Sequence, residues 1–266
     1  MKTLHSFLIL GFAILFSNIS NGQNFTLGAR AGISIPNLSA KGSENNPLNT
    51  GYKSRLGPDA GIFGEFHLSS LFSIEAMLEY SSQGGKKNGM QAFPTPPEIA
   101  GMFPQGTAPQ YLYANFKSEA KMNYLLIPVL AKFGRNVNIN SPIRIYIDAG
   151  PFAGFLLSAH QVTTGSSLIY ADEKGQQPFP APAQSFDANN DIKDQLNSFN
   201  FGVAGNIGIA YNSNRSNIFI EGGGNYGFLN IQKGTANGKN NTGAGTIDIG
   251  YAYTLGNNSK ATNKAK

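Results

Sequence analysis

The stretch that decides the fold runs from Phe199 to Gly227. It reads FNFGVAGNIGIAY over Phe199–Tyr211, NSNRS over Asn212–Ser216 and NIFIEGGGNYG over Asn217–Gly227. Two strands of period 2 are joined by a short polar turn. In the first, Phe201, Val203, Ile207, Ile209 and Tyr211 share one face, and Asn200, Gly202, Ala204, Asn206 and Gly208 the other. In the second, Ile218, Ile220 and Tyr226 oppose Asn217, Phe219, Glu221 and Asn225. A sheet with one wet face carries lysines and glutamates there. Here that face holds glycine, asparagine and one carboxylate, the pattern of a barrel with lipid outside and a crowded polar lumen.

Composition supports this. Charged residues make up 13% of the 266, about half the roughly 25% of a soluble domain. Glycine, at 32 residues, is over-represented. A mean hydropathy of −0.20 excludes a bundle of membrane helices but not a barrel, in which only alternate strand residues meet lipid. The absence of cysteine excludes a disulfide framework, a thiolate nucleophile and a cysteine metal site. The net charge of +5 is scattered, with no basic stripe for nucleic acid.

Residues 1–22 read as a signal peptide. Lys2 supplies the positive end, Phe7–Phe16 the apolar run, and Ser20 and Gly22 the small residues before the cut. Residues 23–256 read as the barrel and 257–266 as a basic C-terminal tail holding Lys260, Lys264 and Lys266. Eight alternating segments lie at Phe25–Ile35, Leu56–Leu68, Phe72–Ser81, Asn123–Phe133, Ile143–Leu157, Asn200–Tyr211, Asn217–Tyr226 and Thr246–Leu255. The connections between them (36–55, 69–71, 82–122, 134–142, 158–199, 212–216, 227–245) alternate long and short without exception. That asymmetry predicts an eight-stranded antiparallel up-and-down transmembrane barrel. Short turns would face the periplasm with both termini, and long loops the outside.

On the apolar parity, aromatics fall near strand ends and predict two girdles at the lipid interfaces. One holds Phe25, Phe66, Phe72, Phe133, Tyr211 and Tyr253; the other holds Tyr80, Phe155, Phe201 and Tyr226. The opposite parity gathers Arg30, Asp59, Glu65, Glu75, Glu79, Lys132, Arg144, Asp148, Glu221 and Asp248. Eight strands leave an interior that side chains can fill, so these predict a polar network plugging the lumen.

Catalytic readings are weaker. Glu75 with Glu79, and Glu221 with Asp248, are candidate acid–base pairs, but charges inside a small barrel ordinarily pair with one another. His67 and His160, the latter near Ser158, have no carboxylate partner assignable from sequence, and two isolated histidines make no metal site. Asp187, Asn189 and Asp191 open with calcium-loop spacing, but Ile192 and Ser198 stand where glycine and glutamate are required. No catalytic residue, metal or cofactor is expected. The outside loops 83–122 and 159–198 are rich in proline and aromatics: Tyr111, Tyr113 and Phe116 in one, Phe179 and Phe186 in the other. They read as extended loops with a binding face for protein or glycan.

Several segments resemble the PorT-like outer-membrane β-barrel proteins common in Bacteroidetes-type bacteria. They are NFTLGARAGIS at Asn24–Ser34, GIFGEF at Gly61–Phe66, FSIEAMLEYSSQG at Phe72–Gly84 and YLLIPVLAK at Tyr124–Lys132. DAGPFAGFLLSA at Asp148–Ala159, DIKD at Asp191–Asp194 and YGFLNI at Tyr226–Ile231 complete the set. Leu126 stands where the family often has glutamate and Asn200 where aspartate is common, and the tail runs past the last strand. The resemblance implies outer-membrane location and, for one member type, association with protein secretion. It implies no active-site residue. The resulting expectation is a non-enzymatic anchor or docking platform. Its rivals are a narrow pore for small solutes, a soluble lipocalin-like carrier of an apolar ligand, and a lipid-modifying enzyme, which would need a nucleophile, histidine and acid converging at one rim.

Overall fold

A computed structural model describes residues 25–40, 45–234 and 238–255. The segments read as signal peptide (1–22) and basic tail (257–266) lie outside these. Among the described residues twelve strands occur in chain order: β1 (Phe25–Ser39), β2 (Gly57–His67), β3 (Phe72–Pro94), β4 (Tyr111–Asn136), β5 (Ile143–Thr164), β6 (Ser166–Ser167), β7 (Ile169–Tyr170), β8 (Gln184–Ser185), β9 (Ala188–Asp191), β10 (Phe199–Ser213), β11 (Ser216–Gly227) and β12 (Asn241–Leu255). One helical turn, α1 (Pro97–Ala100), caps the β3–β4 connection.

The ring is β1-β2-β3-β4-β5-β10-β11-β12, every pair antiparallel and in sequence order apart from the small strands of the long loop. It closes through β1 against β12, from Phe25 opposite Leu255 to Ser39 opposite Asn241. Closure leaves the ring no unpaired edge, which a backbone in lipid requires. The organising hairpin turns on two residues, with Ser213 opposite Ser216. Asn214 takes a φ of 55° there, a left-handed conformation that asparagine tolerates.

Alternation sorts the side chains. Ile62 is 61% exposed and Ile249 61%, while Asp59 and Asp248 on the same strands are 1% exposed. Large apolar residues so exposed in strict alternation with buried polar ones describe a lipid-facing surface. On β10, with Phe199 one step further out, the girdle candidates Phe201 and Tyr211 both face outward. At about 3.3 Å per residue they lie about 33 Å apart along the strand, or about 25 Å along the axis at a tilt near 40°. That matches the roughly 25 Å apolar band of such barrels.

Three strands run much further than the alternation suggested. β3, β4 and β5 have 23, 26 and 22 residues. The region 82–122, expected as a long loop, is mostly a continuous β3–β4 hairpin paired out to Pro94 and Tyr111. Only its tip, 95–110, is irregular. The region 158–199 likewise holds the end of β5, four short strands and a 3-10 turn at Lys193–Gln195. Gly84 shows why the pattern failed. Its φ is 120°, and Ser81, Ser82, Gln83, Gly84 and Gly85 are all buried in succession, so the alternation disappears where the strand leaves the ring.

The aromatics of the two outside loops pack on each other. Phe116 stacks on Phe186 with ring centroids 4.7 Å apart. Phe93 meets Phe186 edge-on at 5.7 Å, and Phe103 meets Phe179 likewise. These rings hold the extension together.

Candidate functional site

The lumen gathers the inward side chains in two ion-paired groups. Arg30 of β1 donates Nη2 to Glu79 Oε2 of β3 at 2.7 Å and Nη1 to Glu221 Oε1 of β11. Glu221 also accepts from the Tyr146 hydroxyl at 2.6 Å. All three side chains of the ion pairs are at most 4% exposed. Arg30 thus ties three strands together across the lumen, and two bonds to charged partners are of the strong, charge-assisted kind. Asp248 lies within electrostatic range of Arg30 without bonding to it. Asp59 accepts from Ser81 at 2.8 Å, and Asp148 from Asn206 at 2.8 Å.

The second group lies nearer the short-turn end. Lys132 of β4 reaches Glu75 at 2.5 Å and Glu65 at 3.4 Å. Glu65 also accepts from Ser73 at 2.6 Å and lies 3.5 Å from His67 Nδ1. His67 Nε2 bonds the Thr26 hydroxyl at 3.0 Å. Arg144 reaches out to the Ser70 carbonyl at 3.1 Å, at the rim.

The lumen is less polar than the sequence suggested. Phe63, Met77, Tyr146, Ala210, Phe219 and Ala252 form a buried apolar cluster. Phe63 and Phe219 meet edge-on at 5.8 Å, and Lys132 Nζ lies 4.5 Å from the Tyr146 ring centre. Toward the long-loop end a second cluster holds Met122, Tyr124, Leu126, Phe152 and Leu156. The signal for the first was present: Phe63, Tyr146 and Phe219 each lie two residues from an inward carboxylate, on its parity. Glycines make room for the rings. A Cβ at Gly28 would fall 2.3 Å from Phe63, and one at Gly208 2.3 Å from Tyr146.

The girdle candidates all point outward. Phe72, Tyr80, Phe133, Phe155, Phe201, Tyr211 and Tyr253 are 36–55% exposed. Phe25, Phe66 and Tyr226 are partly covered. Phe199, at 45%, and Tyr251, at 50%, share that surface and were missed.

The catalytic candidates are dispersed. Glu75 belongs to the Lys132 group and Glu79 to the Arg30 group. Glu221 and Asp248 are cross-strand neighbours. Ser158 accepts from Asn123, and His160 pairs through the backbone with Asp191 of β9. Asp187 caps the Gly165 amide and Asp191 the Lys193 amide. Among the described residues, no cluster of three or more metal-ligating side chains occurs.

A cavity of about 790 Å³ opens at the short-turn end, over Lys132, Tyr146, His67 and Arg144. A second, of about 290 Å³, lies at the long-loop end above the Met122 cluster, partly open to solvent.

A closed ring with an apolar exterior and an ion-paired interior defines a transmembrane β-barrel. The chain belongs to the family described as outer membrane protein beta-barrel domain, whose model matches residues 16–233. It is thus an outer-membrane barrel protein. No curated protein matches it in sequence. Among solved structures it is similar to Neisserial surface protein A, at 13% identity over 87% of this chain and 97% of that one, with a TM-score of 0.41. It is also similar to OprG of Pseudomonas aeruginosa, at 12% identity over 89% and 97%, with a TM-score of 0.39. For Ail, the attachment invasion locus protein of Yersinia pestis, the values are 10%, 86%, 98% and 0.36.

Proposed function

We propose that the protein is a non-enzymatic docking platform of the outer membrane, anchored by its barrel and presenting the β3–β4–β5 extension outside. In this reading residues 1–22 are removed as a signal peptide, both termini are periplasmic, and the short turns face the periplasm. The inward charges act as a structural plug and the outward aromatics as interface girdles. The resemblance to PorT-like proteins adds an association with protein secretion.

The observation that carries this reading is the lumen, which is filled across its middle although a cavity opens at the short-turn end. Arg30, Glu79, Glu221 and Tyr146 are bonded across its middle, with Phe63 and Phe219 packed together inside it. A channel needs a continuous wet path, and the ring packing and ion pairs across the lumen support a plug instead. The extension supports the docking half. From Ser81 to Pro94, β3 continues for about 46 Å of strand past the outer aromatic Tyr80, at about 3.3 Å per residue. That is far more structure than closing a barrel requires.

Two measurements test it. Purified protein in a planar bilayer is expected to give no conductance steps; reproducible steps would favour the narrow pore instead. A photo-crosslinking residue at positions in 95–110 is expected to give one discrete adduct in living cells, lost when the tip is replaced by a two-residue turn. Absence of any adduct across the tip would refute the docking role.

A further inference from the structure

The half-open cavity at the long-loop end has a chemistry that the docking reading does not use. It lies in the extension, roofed by segments that converge from four connections. Leu48 and Tyr52 come from the β1–β2 loop, Lys87 and Gln91 from β3, Leu196 from the turn before β10, and Asn240 from the β11–β12 loop. The roof is fixed by backbone pairing: Lys53 and Lys86 exchange two amide bonds of 2.8 and 2.9 Å, and Asn197 donates to the Ile231 carbonyl at 2.8 Å.

Lys87 is the cavity's one cation, and no carboxylate lines it among the described residues. The ammonium donates to the Leu48 carbonyl at 2.8 Å and lies 4.4 Å from the Tyr52 ring centre. That leaves donors unused, in a pocket walled by Leu38, Phe93, Phe116, Met122 and Ile192 and, in nearly equal share, by polar side chains such as Gln91, Ser118, Gln161 and Thr163. Asn240, 2% exposed, also lines it with an amide oxygen that has no protein donor. Lys87 is half-buried with no carboxylate against it among the described lining residues, and a partly desolvated cation gains from a counter-charge that a ligand can supply. Burial pushes the Lys87 amine down to about 8, as expected of an ammonium lacking a partner.

We propose that this cavity binds a small monocarboxylate with an apolar body, its carboxylate on Lys87 and its body against Phe93, Phe116 and Met122. One ammonium matches one negative charge. A phosphate dianion would leave charge unmatched, and the cavity offers no arginine fork for it. The volume, about 290 Å³, equals that of about ten waters at roughly 30 Å³ each. That suits a molecule of about ten non-hydrogen atoms and falls near the lower edge of ordinary ligand sites.

The test uses full-length protein in detergent and 4-fluorophenylacetate, followed by ¹⁹F NMR. The expected result is saturable one-site binding of the acid. The neutral amide, 4-fluorophenylacetamide, is expected to bind at least tenfold more weakly. Lys87→Met is expected to weaken the acid at least tenfold and leave the amide unchanged. The proposal is overturned if acid and amide bind alike, if Lys87→Met binds the acid as the parent does, or if neither compound saturates. The acid–amide comparison needs no variant, so it decides even if Lys87→Met fails to fold. The result is independent of the docking reading, because the cavity lies inside the extension whichever way the barrel points.

Discussion

Replacing Arg30 with methionine probes the lumen most sharply. Arg30 bonds Glu79 at 2.7 Å and also Glu221, with all the side chains at most 4% exposed. Methionine fills similar volume but leaves two carboxylates buried without their cation. Removing one partner of a buried ion pair typically costs about 3–5 kcal/mol. The loss has a ceiling, because a carboxyl can take up a proton instead. For a group with an ordinary value near 4.3, protonation costs about 3.7 kcal/mol at pH 7 and about 1 kcal/mol at pH 5. Arg30→Met should therefore cost about 3–5 kcal/mol near pH 7 and markedly less near pH 5. Adding Glu79→Gln and Glu221→Gln should recover most of the loss at pH 7. Urea unfolding in phospholipid vesicles, read by the mobility shift between unboiled folded and unfolded protein, measures all three. An Arg30→Met variant within about 0.5 kcal/mol of the parent, the scale of an ordinary surface substitution, would refute the reasoning. So would a loss that does not change with pH.

Three further outcomes are expected. Ile249→Arg, on the lipid face, should cost about 2–4 kcal/mol in the same assay, while Arg placed at exposed Met102 in the tip should cost nothing measurable. Gly84→Ala should loosen the extension, because its φ is 120° and a Cβ would fall 2.0 Å from the Ala120 carbonyl; limited proteolysis should then cut within 84–120 while the ring stays intact. With lysines ¹³C-methylated, one resonance should titrate near pH 8 and vanish in Lys87→Met, against about 10.4 for a free lysine side chain. Tyr52, itself pushed up by burial, is the titratable group facing that amine. Since the folded value is depressed, unfolded chains hold the extra proton between about 8 and 10.4. The extension should therefore gain stability as pH rises through that window.

The ring was legible because lipid and lumen impose opposite demands on alternate residues. Ile207, Ile209 and Ile220 against Gly208 and Glu221 leave one arrangement, and the short 212–216 link fixes the hairpin. The extension was only half legible. On β3 the alternation is interrupted where Ser81–Gly85 are buried in succession, whereas β4 keeps its period through Leu112, Ala114, Ser118, Ala120 and Met122, a signal the loop reading passed over. Prolines such as Pro94 and Pro109 then read as loop. The inward rings left a different kind of signal. Phe63, Tyr146 and Phe219 occupy the polar parity two residues from Glu65, Asp148 and Glu221, and the glycines packed against them, Gly28, Gly208 and Gly250, mark the space they fill. Arg30 and Lys132 could be assigned to the interior from parity, but their partners come from strands distant in sequence, which no local pattern reveals. The Lys87 cavity depends on four loops meeting, and is likewise invisible to periodicity.

The central claim is a barrel that crosses the outer membrane with its long-loop end outside. The chain has no cysteine, so single cysteines can be placed without background at Thr107 in the tip and Asn138 in a short turn. Intact cells are treated with a membrane-impermeant maleimide. The expected result is labelling of Thr107→Cys in whole cells and of Asn138→Cys only after the outer membrane is opened. Labelling of the turn but not the tip in intact cells would contradict the account, as would recovery of both proteins in the soluble fraction.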